Sequence, residues 1–311
     1  MVTRIAIALA LCASACTHDQ PVAAPKAGPS PEVVAASTDA LGFLPVDADL
    51  VIGLNYGQLS QSPLFKDMLA MLNKPELAEM MNMCGVPTNM TVAGKGMNEE
   101  SFMIVLVVRG MEKSKFFTTC LPELQKKEAA KGKGTTITVD GDTVLYTNKK
   151  GTGAGSFVTD NTFVMVAGPH VDRSLLQPTI AAGTPLRKSA AFAEMFGKVD
   201  TNRAVWGLAS GKLALLKQLS AMGVTAQGLF GSIAVTDGVA LDGRLRLSSA
   251  DQASSLAALV KGQAAQAAAF VDKLDIGNDG NDVTFAVAMS ADKLKAMIGM
   301  VAAQAGGGGG D

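Results

Sequence analysis

The alternation of apolar and polar residues predicts both strands and helices. Leu241 to Leu247 alternates apolar and polar positions, and Thr162 to Ala167 and Thr284 to Met289 are short apolar runs. Period-two alternation is typical of a strand with one buried face. Another stretch has apolar residues at positions i, i+3, i+4 and i+7, which is the helical period: Phe65, Met68, Leu69 and Leu72.

The order of these patterns repeats once along the chain. Each copy has an apolar strand, a helical pattern, a second strand, a longer helix, an Asp-Gly turn and a last strand that precedes a helix. The matched segments are 46–54 with 199–208, 102–108 with 241–247, Asp140-Gly141 with Asp279-Gly280, and 162–167 with 284–289. Because the four pairs occur in the same order, we predict a duplicated unit.

Two longer helices are predicted at corresponding places in the copies. In the first copy, one helical face carries Phe116, Phe117, Cys120, Leu121 and Leu124. In the second copy, an Ala-rich helix is predicted near 250–274. Further helices are predicted at 171–180 and 291–303.

The predicted fold class is α+β, a duplicated unit with a mainly antiparallel sheet and helices packed on one face. The first repeat is predicted at 41–195 and the second at 196–304. A Gly-rich stretch at 305–311 is typical of a flexible tail.

The N-terminus has the features of an export signal at 1–15. Arg4 supplies a positive charge, Ile5 to Leu11 is apolar, and Ala13-Ser14-Ala15 offers small residues for cleavage. The apolar run is too short to cross a bilayer as a helix. Residues 16–40 are rich in Pro, Ala and Ser, a composition that predicts an extended tether.

The small residues followed by Cys16 resemble the N-terminus of bacterial lipoproteins. That resemblance implies a diacylglycerol on the Cys16 sulfur and an acylated amine, palmitate being a typical chain, so that Cys16 anchors the protein to a membrane. Thr17 in place of Asp implies the outer membrane, facing the periplasm. Ala13 stands where the family prefers Leu, Val or Ile, so ordinary cleavage after Ala15, which would leave a soluble protein, stays open.

The start of the folded body also resembles a group of uncharacterised bacterial envelope proteins. The shared phrase is FLP-x-DA, here Phe43-Leu44-Pro45-Val46-Asp47-Ala48. This second resemblance implies no known activity.

Charge and aromatic content exclude some classes of partner. The formal net charge is −1, which gives no electrostatic argument for a nucleic-acid partner. Aromatic residues make up 5% of the chain, too few for stacking platforms. We expect no nucleic-acid partner, whereas an unknown protein partner is possible.

Cys84 and Cys120 are the two cysteines outside the export signal and its cleavage site. In an oxidising compartment an even pair is most simply a disulfide. The histidines, His18 and His170, make no metal-ligating spacing with them. We therefore predict a Cys84–Cys120 disulfide and no metal site.

No motif predicts a catalytic residue or a cofactor. Gly151 to Gly155 lacks the following helix of a dinucleotide loop and is predicted to be a flexible hairpin connection. Gly207 to Lys212 lacks the Ser or Thr and the spacing of a P-loop. Asp275 to Asp282 has Gly277 at a calcium-ligand position and Ala286 in place of the closing Glu, which favours a hairpin turn. His170, after Pro169, is expected to cap a strand-to-helix junction.

Methionines are concentrated in one region, and they leave a second hypothesis open. They are Met68, Met71, Met80, Met81, Met83, Met90 and Met97. Met fills irregular cores and also lines surfaces that accept varied apolar partners. We expect a non-enzymatic envelope lipoprotein that binds a partner or serves structurally. The alternative is a carrier or sensor of lipids or other hydrophobic ligands, and an enzyme is the third class.

Overall fold

The computed structural model describes residues 40–71, 79, 83–97, 100, 102–132, 134–180, 186–267 and 270–297. Cys16, the export signal at 1–15, nearly all of the tether and the tail at 305–311 lie outside the described residues. None of the helices in the described part has the length and apolar character needed to cross a bilayer.

Strands and helices alternate along the described chain. The strands are β1 (Leu50–Asn55), β2 (Asn89–Lys95), β3 (Met103–Arg109), β4 (Thr136–Asp140), β5 (Thr143–Asn148), β6 (Gly151–Thr159), β7 (Thr162–Gly168), β8 (Val205–Ser210), β9 (Ala226–Val235), β10 (Gly238–Leu247), β11 (Lys273–Asp279) and β12 (Asp282–Ser290). The bounded α-helices are α1 (Tyr56–Leu59), α2 (Pro63–Met71), α3 (Lys113–Lys115), α4 (Leu121–Lys131), α5 (Arg173–Ile180), α6 (Ala190–Phe196), α7 (Ala214–Lys217) and α8 (Ala250–Ala267). Residues 291–297 are helical as well, where the sequence predicts a helix over 291–303; the rest of that range lies outside the described residues.

The chain divides into two compact units. The first contains residues 1–56 and 74–194, and the second contains 57–73 and 195–311. The predicted second repeat starts at almost the same place, but α2 belongs with the second unit. Lys295 Nζ donates to Asp67 of α2 at 2.7 Å, which ties that helix to the C-terminal part of its unit.

Both units have an antiparallel sheet, so the predicted α+β class is confirmed. In the first unit the strand order is β1-β2-β3-β7-β6-β5-β4. In the second unit it is β8-β9-β10-β12-β11. Each unit therefore begins with three sequential strands, continues through a helix, and places its last strand beside the third strand.

The main core of the first unit lies between its sheet and the helix that follows β3. Phe116 packs against Phe157 and Phe163, with ring centroids 5.4 and 5.5 Å apart. Phe116 to Cys120 form a π-helical turn between α3 and α4. Cys120, 1% exposed, joins Cys84 in a disulfide whose Cα atoms are 4.6 Å apart. The predicted Cys84–Cys120 pairing is thus present in the structure.

The opposite face of the first sheet is also buried. Val105 and Val107 of β3 pair with Val166 and Val164 of β7, and each of the four is at most 1% exposed. β3 is therefore covered on both faces, which explains why it is a continuous apolar run rather than an alternating one.

The second sheet is covered on one face by α8. Leu247, Ala253, Ala257, Ile276 and Val283 form this core. The small alanines allow α8 to approach the sheet closely. The described part of the helix runs to Ala267, and it does not extend to the predicted 274, because Asp272 already donates its backbone N–H to the Ala288 carbonyl oxygen at the start of the β11 pairing.

The two predicted Asp-Gly turns are not equivalent. Asp279-Gly280 connects β11 to β12, whereas Asp140-Gly141 connects β4 to β5. Because β7 and β12 are the corresponding last strands, the counterpart of the β11–β12 turn is the β6–β7 turn at Asp160-Asn161. The first unit has an additional hairpin, β4–β5, with no counterpart among the described residues of the second unit.

The prediction of a flexible connection at Gly151 to Gly155 is wrong, because these residues form the first half of β6. The glycines are required by close packing across the sheet. A Cβ on Gly155 would lie 2.3 Å from the Phe163 ring, and one on Gly151 would lie 2.5 Å from the Gly168 carbonyl oxygen.

Candidate functional site

The face of the second sheet that α8 does not cover carries many charged side chains. In β10, Asp242, Arg244 and Arg246 occupy alternate positions and so share one face. The register places Arg246 opposite Asp282 of β12, and Asp282 opposite Asp279 of β11. Three neighbouring strands thus bring these five charged residues to the same face, together with Lys273 and Asp275 of β11.

A buried carboxylate lies at the centre of this charged face. The Asp282 side chain is 0% exposed. Arg246 donates to it from Nε and also from Nη2, the latter at 3.2 Å. Lys198 Nζ donates to Asp282 Oδ2 at 2.7 Å. The Arg246 guanidinium also lies over the Phe230 ring, 5.7 Å from its centroid. These contacts compensate the cost of burying the charge.

The basic neighbours keep Asp282 ionised. Burial by itself raises the pKa of the Asp282 carboxyl, but hydrogen bonds and charge from Arg246 and Lys198 outweigh it and hold that pKa below its ordinary value. The pKa of Asp279 is lowered too, first by the hydrogen bond from Arg244 and then by the charges of Lys198 and Arg244. Both aspartates are therefore anionic at neutral pH.

Further ion pairs surround Asp282. Arg244 Nη1 lies 2.6 Å from Asp279 Oδ2, and Lys198 Nζ lies 3.7 Å from the same oxygen. Arg203 pairs with Asp242 through Nη1 and with Asp200 through Nε at 3.3 Å. Lys198, Asp200 and Arg203 come from the segment between α6 and β8, so this connection supplies part of the charged face.

A cavity of about 350 Å³ opens among these residues. Its lining consists of Lys198, Asp200, Arg203, Gly231, Ser232, Asp242, Gly243, Arg244, Asp275, Gly277, Thr284, Phe285 and Ala286. The volume is near the lower end of the range for small-molecule sites. The lining is mostly charged, hydroxyl-bearing or small.

Small residues keep the cavity open between β10 and β11. Ala286 lies between Asp242 and Asp275 in the pairing register, and Thr284 lies between Arg244 and Gly277. A Cβ at Gly277 would lie 3.3 Å from the Thr284 hydroxyl oxygen. A larger residue at Gly277 would therefore project into the space that the cavity occupies.

The motifs considered for chemistry in the sequence lie in ordinary turns and strands. His170 is an exposed turn residue before α5, in the first unit. Gly207 to Lys212 run from β8 into the following turn, and Asp275 to Asp282 form the β11–β12 hairpin that the sequence favours. Over the described ranges, no three His, Cys, Asp or Glu side chains are placed to hold a metal ion. The charges around the cavity are suited to binding and orienting a polar molecule.

Some of the methionines singled out in the sequence have a packing role. Met83 and Met90 are partly buried and pack against the core of the first unit, next to Cys84. Met97 lies against Gly94, whose absent side chain makes room for its sulfur. Met80 and Met81 lie outside the described residues.

The charged face is a feature that the sequence did not reveal. Asp282 and Arg246 are 36 positions apart, and only the strand register brings them together. The available signal was the charge alternation Asp242-x-Arg244-x-Arg246 in β10, combined with Asp279 and Asp282 around the last turn. Opposite charges on strands expected to pair predict cross-strand ion pairs.

The fold resembles that of three solved structures of TP0453. Crystal forms III and I match with a TM-score of 0.53 each, at 12% and 11% sequence identity, and form IV matches with a TM-score of 0.55 at 10% identity. The matches cover 83%, 84% and 83% of this chain and 96%, 96% and 95% of those chains. No protein-family model matches the sequence. No curated protein matches it either. The likeness to TP0453, at this level of identity, is one of fold alone.

Proposed function

We propose that this chain is a non-enzymatic bacterial envelope lipoprotein whose folded body binds a partner or serves structurally. In this proposal Cys16 carries the lipid and residues 16–40 hold the body away from the membrane. The observation that carries it is the disulfide between Cys84 and Cys120, the two cysteines that remain outside the export signal and its cleavage site. Stable disulfides belong to oxidising compartments outside the cytosol.

The lipid anchor makes a durable attachment physically reasonable. Each buried CH₂ group contributes about 0.8 kcal/mol, so two or three acyl chains hold a protein that one chain holds only marginally. In bacterial lipoproteins a residue other than Asp directly after the lipidated Cys favours the outer membrane. Here that residue is Thr17, which supports the outer membrane as the destination, with the body facing the periplasm.

The cavity on the second sheet supports a binding role for the body. Its lining includes Lys198, Arg203, Arg244 and several aspartates, which are suited to a polar ligand. The alternative, a carrier of lipids or other hydrophobic ligands, would be supported by an apolar cavity of comparable size. The charged cavity supplies no argument for that alternative, so we place binding of polar partners first.

Mass spectrometry of the protein extracted from membranes tests the anchor. We expect an N-terminal peptide that begins at residue 16 and carries a diacylglycerol and a further acyl chain. Cys16→Ala should abolish this mass and release the protein from the membrane fraction. Cys12→Ala is the matched control, because it changes a cysteine of the signal without touching Cys16. A soluble wild-type protein that begins with an unmodified Cys16 would contradict the proposal.

A further inference from the structure

The segment that joins α6 to β8 forms one wall of the cavity in the second unit. It consists of residues 197–203, here called the strap, and it contributes Lys198, Asp200 and Arg203 to the cavity lining. The other lining residues belong to strands β9, β10, β11 and β12. The cavity therefore lies between the strap and the sheet.

The backbone of the strap is hydrogen-bonded to helices and to itself. Lys198 and Val199 donate their N–H groups to carbonyl oxygens of α6, and Arg203 donates to a carbonyl oxygen within the strap. The Asn202 carbonyl accepts a hydrogen bond from Gln58 of α1. None of these bonds joins the strap to the sheet, and every residue of 197–203 is partly or fully exposed. A segment with few buried contacts opens at a low free-energy cost.

Charged side chains attach the strap to the sheet. Lys198 Nζ lies 2.7 Å from Asp282 and 3.7 Å from Asp279, and Arg203 Nη1 pairs with Asp242. Both cations reach solvent, since the side chains of Lys198 and Arg203 are 33% and 27% exposed. Ion pairs of partly exposed groups contribute modestly to stability and are screened by salt. Ionic strength therefore weakens the contacts that hold the strap on β10, β11 and β12.

The Arg203 side chain crosses β9 to reach its partner. In the pairing register, Ser232 of β9 lies between Trp206 of β8 and Asp242 of β10. Arg203 precedes β8 and contacts Asp242, so its side chain passes beside Ser232. Ser232 is only 3% exposed. The closed strap thus helps to keep this position away from solvent.

Apolar packing anchors both ends of the strap. Phe196, directly before it, packs edge to face against Trp206 with the ring centroids 5.4 Å apart. Met195 is 9% exposed, and Ala204, directly after the strap, is 1% exposed. Opening is therefore confined to the residues between these anchors.

We propose that residues 197–203 form a strap that closes the cavity through ion pairs and opens it while the rest of the second unit stays folded. In the closed state Lys198 and Arg203 hold the strap on Asp282 and Asp242. In the open state the cavity is accessible and Ser232 meets solvent. This inference rests on the binding role proposed above and identifies the step that controls access to that site.

Thiol labelling at position 232 measures the opening. Ser232→Cys places a thiol of similar size beside Arg203, and N-ethylmaleimide reacts with it when the strap is open. The peptide that contains position 232 is followed by its mass, so other thiols of the chain do not interfere. We expect labelling to become at least about fivefold faster between about 0.01 M and about 1 M sodium chloride, over which the Debye length falls from about 30 Å to about 3 Å.

A double substitution removes the ion pairs themselves. Lys198→Gln with Arg203→Gln, in the Ser232→Cys background, should be labelled at least about fivefold faster than Ser232→Cys alone at low salt. Its labelling should also change little with salt, because the charges that salt screens are gone. This second comparison separates opening of the strap from any effect of salt on the reagent.

Two controls locate the effect in the strap. Lys295→Gln removes an exposed ion pair with Asp67 in the same unit, away from the strap, and should leave labelling at position 232 unchanged. Ala257→Cys, with Ser232 intact, reports on the α8 core, where Ala257 is 5% exposed. Labelling at position 257 should stay slow at both salt concentrations.

The inference is overturned if labelling at position 232 does not respond to salt or if the double variant is labelled no faster than Ser232→Cys at low salt. It is also overturned if position 257 gains the same salt dependence, because the whole unit would then be opening. The measurement requires neither a ligand nor the lipid. A failure of the strap is therefore distinguishable from a failure of the anchor, which the mass of the N-terminal peptide tests.

Discussion

Asp282 and Arg246 lie directly opposite each other on β12 and β10 and form a buried ion pair on the charged face of the second sheet. The Asp282 side chain is 0% exposed and that of Arg246 is 11% exposed. Lys198 contributes a further hydrogen bond to the same carboxylate. In a buried pair of this kind each charge offsets the cost of removing the other from water, because either charge alone would be costly in that position.

Asp282→Asn should therefore destabilise the protein strongly. The change removes the negative charge and leaves Arg246 and Lys198 without their shared counter-ion. Breaking a buried pair costs about 3–5 kcal/mol, and we expect a loss of about 3 kcal/mol in the free energy of unfolding because Asn keeps one acceptor. Urea unfolding followed by circular dichroism measures it.

Asp279→Asn is the matched control for Asp282→Asn. Asp279 belongs to the same cluster, but its side chain is 59% exposed. Exposed ion pairs contribute at most about 1 kcal/mol, so this variant should unfold close to the wild type. Equal losses for the two variants would contradict the assignment of Asp282 as the buried centre.

The lowered pKa of Asp282 predicts a loss of stability in acid. The carboxyl titrates at a lower pH in the folded state than in the unfolded chain, where the ordinary value is about 3.9. The stabilisation of the fold by ionised Asp282 is therefore complete above that value and is lost as the pH falls through the folded-state pKa. Urea unfolding at a series of pH values should show a steeper acid-side loss for the wild type than for Asp282→Asn. Parallel curves for the two proteins would contradict the assignment of this acid-side loss of stability to Asp282.

The pattern of apolar and polar residues predicted some strands of each unit and missed others. β3, β7, β10 and β12 carry uninterrupted apolar or alternating runs. β2 and β9 were not predicted, because glycines such as Gly94, Gly228 and Gly231 interrupt their patterns. In the structure a Cβ at Gly231 would lie 2.2 Å from the Asp242 carbonyl oxygen, so this glycine reflects the close approach of the neighbouring strand.

The candidate site could not be predicted, for a different reason. Each of its residues is an ordinary polar residue of a strand or turn. They form a charged cluster only because of the register of β10, β11 and β12 and because the segment between α6 and β8 places Lys198 beside Asp282. A shift of one residue would turn Asp282 to the α8 face and away from Arg246. The disulfide was predictable, because an even number of cysteines outside the signal indicates a pair without any knowledge of which strands are neighbours.

The Cys84–Cys120 disulfide should contribute substantially to the stability of the first unit. The cysteines are 36 positions apart, and the chain-entropy model gives about 4 kcal/mol for a loop of this size. Cys84→Ala with Cys120→Ala should therefore lower the urea midpoint markedly. The reduced wild-type protein should behave similarly. If the double variant unfolds like the oxidised wild type, the cross-link does not stabilise the fold.

A pair of glycine substitutions tests how tightly the first sheet is packed. Gly155 of β6 has the Phe163 ring directly above it, and an added Cβ would lie 2.3 Å from the ring atom Cζ. Phe163 is held between Phe116 and Phe157, at centroid distances of 5.5 and 5.1 Å, so it has little room to move. Gly155→Ala should cost about 1–3 kcal/mol through overpacking.

Gly262→Ala is the matched control, and it should have the opposite sign. Gly262 lies in α8 with no atom within 4 Å of an added Cβ. Ala is favoured over Gly in a helix by about 1 kcal/mol, so this variant should be more stable than the wild type. Both free energies of unfolding come from urea titrations. If Gly155→Ala is as stable as Gly262→Ala, the glycine at position 155 is not required by the packing of Phe163.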